Sequence, residues 1–388
     1  MLLIIAITYI ISFLLSSILF HKRIRISKRQ ATIFWVFFVI SLAIIAFQMQ
    51  PPSNWDLGRN YQLLDTIRNS HLSFIEFVFG GRATYRADGY RNLIFYNIYR
   101  YIIVNIFKDN HWFQTITVII VYTILGYITI DFRFDNNRND LSNTLSVVIS
   151  FSFLPFLYVT SGIRNALAAS LVGLGVYLYL YKSKNVTIYL VILFISATIH
   201  PAVLITLPFV ILSKINIGFK ETGIVFLLTF LLQNFARLLS SLGNTYLSFI
   251  GISYLRYSGT EQYRGGRGNL YGVLVLSLIF FIFIILQIRK EKMISVEDGY
   301  DDNGNIRICG FLLFMFTYML GNFQNYDLVL RPGYIVGMFA PMLSNLMNID
   351  NSNIKNIKTI IKAFADIAVI AFAIYVNYKC FEIFVEAF

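Results

Sequence analysis

Apolar stretches of about 20 residues, separated by short polar segments, recur along almost the whole chain. An α-helix of that length crosses the hydrocarbon core of a bilayer. The pattern predicts about twelve spans, at roughly residues 2–20, 31–49, 112–130, 143–160, 163–181, 186–200, 202–213, 222–240, 270–288, 308–326, 329–347 and 361–381. The two short segments around Pro201 are predicted to form a kinked hairpin, because proline disfavours helix at the residue before it.

Composition supports an integral membrane protein without a soluble domain. Hydrophobic residues make up 57% of the 388 positions and charged residues only 13%, whereas a soluble domain carries about a quarter charged residues. The expected fold class is therefore all-α, a polytopic membrane protein forming one transmembrane domain over residues 1–388. The first apolar segment lacks a basic leader and a small-residue cleavage pattern, so it is expected to be a retained helix.

Lysines predict the orientation of the chain. In the twelve-span topology, eleven of the thirteen lysines fall on one side, and the exceptions are Lys108 and Lys379. The positive-inside rule makes that side cytoplasmic. The segment 93–107 is apolar enough to suggest another crossing, but counting it would place the lysine clusters outside. It is therefore predicted to be an amphipathic helix at the outer interface, within a large outer loop over 50–111. A second outer loop is expected over 241–269.

Arginines are distributed differently from lysines. The predicted outer side holds many of them, against the positive-inside expectation: Arg59, Arg68, Arg82, Arg86, Arg91, Arg100, Arg164, Arg237, Arg256, Arg264, Arg267 and Arg331. They could pair with outer acids or with lipid phosphates. Arg164 and Arg331 lie beside apolar sequence at helix mouths, where charge is costly and is often functional. His200, at the predicted hairpin turn, could exchange a proton or hold the kink by a hydrogen bond.

Several functional classes lack their sequence signals. Cys309 and Cys380 belong to no Cys/His cluster, and no strand–glycine loop–helix pattern for a nucleotide is present. No metal, cofactor or nucleic-acid partner is therefore expected, although Arg264 to Gly268 superficially resembles an RNA-binding patch. A one-sided, arginine-rich site instead suits a lipid-linked anionic substrate. Displacing a pyrophosphate needs cations to stabilise the growing negative charge, and it needs a base near the acceptor hydroxyl.

Short motifs in these same regions resemble a known family. The run Ser161-Gly-Ile-Arg164-Asn165-Ala-Leu-Ala-Ala resembles the G-x-R-Q-x-[LI]-A helix start of the EpsG branch of Wzy-type polysaccharide polymerases. About 35 residues later, Thr198-Ile-His200-Pro201-Ala is similar to that family's [FI]-H-x-[ST]-A stretch. Asn165 stands where the family often has Gln, and Pro201 follows the histidine.

Other elements of the same family follow in order along most of the chain. Trp55-Asp56-Leu-Gly-Arg59-Asn-Tyr61 is similar to the family's early outer loop, although it lacks the usual G-x-D-T. Asp88-Gly89-Tyr90 resembles its D-G-Y element. Arg331-Pro-Gly-Tyr334 is similar to a late arginine with a nearby tyrosine.

The resemblance implies a GT-C-like enzyme of the bacterial cytoplasmic membrane whose active site faces outward. It would join repeat units of a capsule, exopolysaccharide or O-antigen. The growing chain on undecaprenyl pyrophosphate would be the donor, and the hydroxyl of a lipid-linked unit would be the acceptor. A chain-length regulator and a flippase are the expected protein partners, beside membrane lipid.

Roles for individual residues follow from this hypothesis. Arg164 and Arg331 would stabilise the leaving pyrophosphate, and His200 would be the base on the acceptor hydroxyl or a residue that orients it. The expected substrate contacts are Asp56, Arg59, Tyr61, Asp88, Tyr90 and Tyr334, with a basic rim of Arg256, Arg264 and Arg267. Two alternatives stay open. A flippase would carry charges along a path through several spans, and an O-antigen ligase would share the outer arginines.

Overall fold

A computed structural model describes residues 27–50, 56–79, 93–135, 149–215, 219–241, 267–298, 304–323, 325–346, 367–372 and 375. Within these ranges the regular elements are all helices, which agrees with the predicted all-α class. The predicted span at 2–20 and most of the one at 361–381 lie outside the described residues.

The helices follow one another with short connections. They are α1 Lys28–Gln48, α2 Asp56–Ser70, α3 Phe74–Val78, α4 Ile94–Ile106, α5 His111–Asp135, α6 Phe156–Ser161, α7 Ile163–Val176, α8 Val186–Ile199, α9 Thr206–Ile215, α10 Phe219–Ser240, α11 Arg267–Asp298, α12 Gly304–Gly321, α13 Tyr326–Gly337 and α14 Ala340–Leu346. A π-helical turn, Tyr177–Tyr181, continues α7, and a 3-10 turn, Pro201–Ile205, precedes α9.

Five of the described helices are long and apolar enough to cross a membrane. They are Lys28–Gln48, His111–Asp135, Ile163–Tyr181, Leu270–Arg289 and Gly304–Gly321. A sixth would be Lys220–Leu232 with Asn234–Ser240, which are bent by 41° at their junction. These six match predicted spans, whereas the count of twelve and the GT-C-like architecture are not confirmed. The pair around Pro201 consists of two shorter apolar helices, separated at His200 as the proline predicts.

Helices α1 and α5 pack closely and run antiparallel. The indole N–H of Trp35 donates to the carbonyl of Tyr122 at 2.7 Å. Gly126 makes this approach possible, because a Cβ at that position would lie 1.9 Å from the Trp35 indole nitrogen. Lys28 at the start of α1 meets Asp131 near the end of α5. The two helices therefore share two opposite ends.

We call the first of these the lysine end, defined by Lys28, Lys182 and Lys214. Asp131 accepts from Lys28 at 3.0 Å, from Lys182 at 2.7 Å and from the hydroxyl of Tyr177 at 2.9 Å. The ammonium of Lys214 lies 3.9 Å from the ring centroid of Tyr179. Lysines from three segments thus share one end, as the topology predicts, and its cytoplasmic location stays a prediction.

The opposite end carries the segments predicted as the outer loop. Gln114 Nε2, near the start of α5, donates to the carbonyls of Ala46 and Met49 at the end of α1. Helix α4 coincides with the predicted amphipathic segment and packs against α2, α3 and α8. It buries a polar face that includes Tyr96 and Arg100, and it exposes Ile106. Its place at a membrane interface stays a prediction.

Candidate active site at the end opposite the lysines

Helix geometry brings Arg164, His200 and Arg331 to the end opposite the lysines, which we call the arginine end. Arg164 lies in the first turn of α7, thirteen residues before Tyr177. At a rise of about 1.5 Å per residue this places it about 20 Å from the lysine end. Helix α8 starts near Lys182 and runs back, so His200 follows at its far end. Helix α13, which carries Arg331, packs against α7.

Local sequence explains why α7 begins next to Arg164. Helix α6 ends at Gly162, whose backbone N–H donates to the carbonyl of Tyr158 at 2.8 Å. A Cβ at Gly162 would lie 2.9 Å from that carbonyl oxygen, so a larger residue would disturb the junction. The break between α6 and α7 thus places Arg164 at a helix start, where its side chain remains partly exposed.

His200 lies in the turn between two short helices, outside the candidate spans, and is 8% exposed. Its Nδ1 accepts a hydrogen bond of 3.2 Å from the backbone N–H of Ala202. The pKa of His200 is lowered to about 3, first by burial and then by the positive charges of Arg331 and Arg164. The imidazole is therefore neutral near pH 7, and the proton resides on Nε2 because Nδ1 is the acceptor.

Arg331 forms an ion pair with Asp327 one turn earlier in α13, with Nη2 and Oδ2 3.3 Å apart. Both side chains are largely shielded from solvent, at 23% and 13% exposure. Asn325 caps the helix by accepting from the N–H of Leu328, and it is buried. In the part of the chain that the structure describes, its Nδ2 has no hydrogen-bond partner, so this N–H group is available to a substrate.

The environment of Arg164 includes residues that the sequence did not single out. Its guanidinium carbon lies 5.7 Å from the ring centroid of Tyr96, and that of Arg100 lies 4.8 Å from the same ring. The Tyr96 hydroxyl donates to Asn60 Oδ1 at 2.8 Å. These contacts join α2, α4 and α7. The buried polar face of α4 could have indicated them, since apolar positions would be expected there in a purely structural helix.

The predicted sugar contacts that the structure describes are already engaged within the protein. Asp56 and Arg59 form an exposed ion pair of 2.9 Å. The Tyr61 hydroxyl donates to Gln114 at 2.6 Å. The Tyr334 ring meets that of Tyr158 edge to face at 6.4 Å. Their roles towards a sugar stay predictions.

Five further predicted contacts lie outside the description. Asp88, Tyr90, Arg256 and Arg264 fall in ranges that the structure does not describe, and so does the side chain of Arg267. Among the described residues, no group of three or more His, Cys, Asp or Glu side chains could hold a metal ion. The described site thus consists of arginines, one neutral histidine, a carboxylate and amides.

Comparison with known proteins gives one match. The model of the EpsG family matches residues 70–384, a range that includes α4 and every described helix after it. No curated protein and no solved structure matches the chain. The family resemblance predicted from the short motifs is confirmed.

Proposed function

The chain belongs to the EpsG family, and on this premise we propose that it is a polysaccharide polymerase of the bacterial cytoplasmic membrane. It joins oligosaccharide repeat units carried on undecaprenyl pyrophosphate at the outer face. The observation that carries this proposal is the convergence of Arg164, Arg331 and His200 at one end of the helix bundle, shown by the effect of both arginine charges on the histidine.

The proposed reaction is a glycosyl transfer. The acceptor hydroxyl oxygen forms a bond to the anomeric carbon of the donor, and the bond from that carbon to the pyrophosphate oxygen breaks. The electron pair leaves with the pyrophosphate, which gains negative charge. Arg164 and Arg331 stabilise this charge because guanidinium groups bind phosphate oxygens through two parallel N–H bonds. Nucleotide hydrolysis is not needed, since the pyrophosphate linkage already activates the donor.

His200 has two possible roles, and its hydrogen bond relates them. In the observed arrangement Nε2 carries the proton, so the ring can donate to a substrate oxygen and orient it. To take the proton of the acceptor hydroxyl, Nδ1 must first exchange the N–H of Ala202 for that hydroxyl. The geometry therefore favours the orienting role for His200, with the base role requiring a local rearrangement.

Asp327 supports Arg331 in this scheme. A carboxylate one turn away fixes the guanidinium in place, and it lowers the cost of keeping a positive charge where water is scarce. The ion pair leaves part of the guanidinium fork for the pyrophosphate, because Arg carries five N–H donors. Asn325 adds a neutral donor at the same helix start.

The remaining predicted contacts complete the proposal. Asp56, Arg59, Tyr61, Asp88, Tyr90 and Tyr334 would contact the sugars, and Arg256, Arg264 and Arg267 would form a basic rim. A flippase and a chain-length regulator would act with the enzyme. Whether the product is a capsule, an exopolysaccharide or an O-antigen depends on the repeat unit supplied.

The polymer made in cells tests the proposal. Arg164→Ala, Arg331→Ala and His200→Ala are introduced separately, and the product is resolved as a ladder of chain lengths. Each should shorten or abolish the ladder. Arg68→Ala is the matched control, because Arg68 is already engaged by Asp65 and Asn110, and it should leave the ladder unchanged. Full-length polymer from all three site variants would show that the assignment is wrong.

Deletion of the protein separates the alternative functions. Loss of a polymerase leaves a single repeat unit attached to the cell surface. Loss of a ligase leaves no attached units. Loss of a flippase leaves lipid-linked units on the cytoplasmic face. We expect the first result.

A further inference from the structure

Tyr96 occupies a central place at the arginine end. It lies on α4, is fully buried, and contacts the ring of Phe113 with centroids 6.2 Å apart. Its hydroxyl donates to Asn60 on α2, and Asn60 in turn donates to the carbonyl of Asp56 at 2.8 Å. The ring is thus held from both its edge and its hydroxyl, and it has little freedom to move.

Two guanidinium groups lie at this fixed ring. The carbon centre of Arg100 is 4.8 Å from the ring centroid and that of Arg164 is 5.7 Å. The two centres are therefore no farther apart than the sum of these distances. Arg100 is only 4% exposed, and one of its Nη atoms donates to Asn97 within the same helix. Arg100 comes from α4, whereas Arg164 comes from α7.

The electrostatics of this arrangement favour an anion. Two positive charges repel each other more strongly where water is scarce than in bulk solvent. The negative face of an aromatic ring attracts a nearby cation and so offsets part of that repulsion. A multiply charged anion between the groups would offset it further, and guanidinium forks match phosphate oxygens.

From this geometry we propose that Tyr96 is a positioning residue that holds Arg100 beside Arg164, and that the two arginines together bind the diphosphate group of a lipid-linked substrate. The inference rests on the proposed function, and it adds Arg100 as a substrate-binding residue. It assigns a division of labour within the arginine end. Arg164 and Arg100 grip the diphosphate from the side of α4, and Arg331 acts on it from the side of α13.

Binding of a soluble analogue to the purified full-length chain tests this inference without requiring activity. The probes are geranyl diphosphate and geranyl monophosphate, titrated against protein in lipid nanodiscs. The unaltered chain should bind the diphosphate more tightly than the monophosphate. Arg100→Gln and Tyr96→Leu should each weaken diphosphate binding about tenfold, since a cation–π or ion contact of this kind is typically worth that much.

Conservative variants distinguish positioning from loss of folding. Tyr96→Phe keeps the ring and loses only the Asn60 hydrogen bond, so it should retain most of the affinity. Arg100→Lys keeps the charge without the planar fork and should bind with intermediate affinity. Arg68→Gln and Tyr99→Leu are the controls, because they alter an arginine and a buried tyrosine at the same end without touching the Tyr96 ring. Both should bind as the unaltered chain does. Thermal unfolding of each variant verifies that it is folded.

The outcomes separate this inference from the polymerase assignment. If Arg100→Gln and folded Tyr96→Leu bind geranyl diphosphate as tightly as the unaltered chain, the inference is wrong even when Arg164→Ala abolishes the polymer ladder. If the chain binds no diphosphate, or does not prefer it to the monophosphate, the inference is also wrong. If these variants weaken binding while the three site variants still make full-length polymer, the diphosphate site stands and the polymerase assignment fails.

Discussion

The Nδ1 atom of His200 accepts a hydrogen bond from the backbone N–H of Ala202, at 3.2 Å, across the proline that ends helix α8. This relationship gives a structural reason for the sequence His200-Pro201. Proline has no N–H of its own, so the first N–H after the break belongs to Ala202, and the histidine side chain caps it. One residue therefore stabilises the turn and presents its Nε2–H towards the arginine end.

Stability should fall with pH because of His200. Its folded pKa of about 3 is below the unfolded value of about 6.5. The unfolded chain therefore binds the extra proton first, and the folded state loses relative stability as the pH falls from about 6.5 towards 3. Between pH 6.5 and 5 the change should be about 1.5 kcal/mol. Thermal unfolding of the unaltered chain and of His200→Gln over this range measures it. Parallel pH dependence in the two proteins would contradict the assignment.

The Asp327–Arg331 ion pair should matter far more than the Asp56–Arg59 pair, although both lie within single helices. The first pair is shielded and the second is about half exposed or more. Breaking a shielded pair leaves an uncompensated charge and costs about 3 kcal/mol, whereas an exposed pair is worth less than about 1 kcal/mol. Asp327→Asn should therefore lower both the unfolding midpoint and the polymer yield. Asp56→Asn should leave the midpoint nearly unchanged, and equal effects of the two changes would contradict the prediction.

The lysine end is expected to be structural. Asp131→Asn removes the charge that joins Lys28, Lys182 and Tyr177, so the protein should lose about 1–3 kcal/mol of stability. The chain lengths of the polymer, normalised to the amount of folded protein, should stay the same because the arginine end is a helix length away. A shorter ladder per folded molecule would instead give this end a direct role.

Packing of α1 on α5 should depend on the absence of a side chain at Gly126. Gly126→Ala places a methyl group against the Trp35 indole, and overpacking of this kind costs about 1–3 kcal/mol. Gly223→Ala on α10 is the matched control, since nothing lies within 4 Å of the added Cβ and alanine favours helix over glycine. The unfolding midpoint should fall in the first variant and hold or rise in the second.

Cysteine labelling should place the two ends on opposite membrane faces. Lys108→Cys, beside α4, should react with a membrane-impermeant maleimide added to intact cells or spheroplasts. Lys184→Cys, beside Lys182, should react only after the membrane is opened. Both positions are exposed, and the native cysteines are first replaced by serine. Labelling of Lys184→Cys from outside would invert the predicted topology.

Sequence alone was sufficient for the properties that depend on local composition and order. The lengths of apolar runs established a helical membrane protein. The clustering of lysines correctly predicted that Lys28, Lys182 and Lys214 share an end. Short motifs around Arg164, His200 and Arg331 indicated the EpsG family. The break at Pro201 and the helix at Ile94–Ile106 also followed from local rules, because proline geometry and amphipathic periodicity need no knowledge of neighbouring helices.

The relationships between distant residues required the folded chain. Twelve outer arginines looked alike in the sequence, and packing of α4 against α8 and α2 brought Arg100 to the ring that Arg164 also contacts. The tautomer of His200 depends on a backbone N–H two residues away whose direction is set by the turn. Such contacts depend on which helices meet and at what height along the bundle. Periodicity identifies the buried face of a helix, but the helix that covers that face is chosen by the packing of the whole chain.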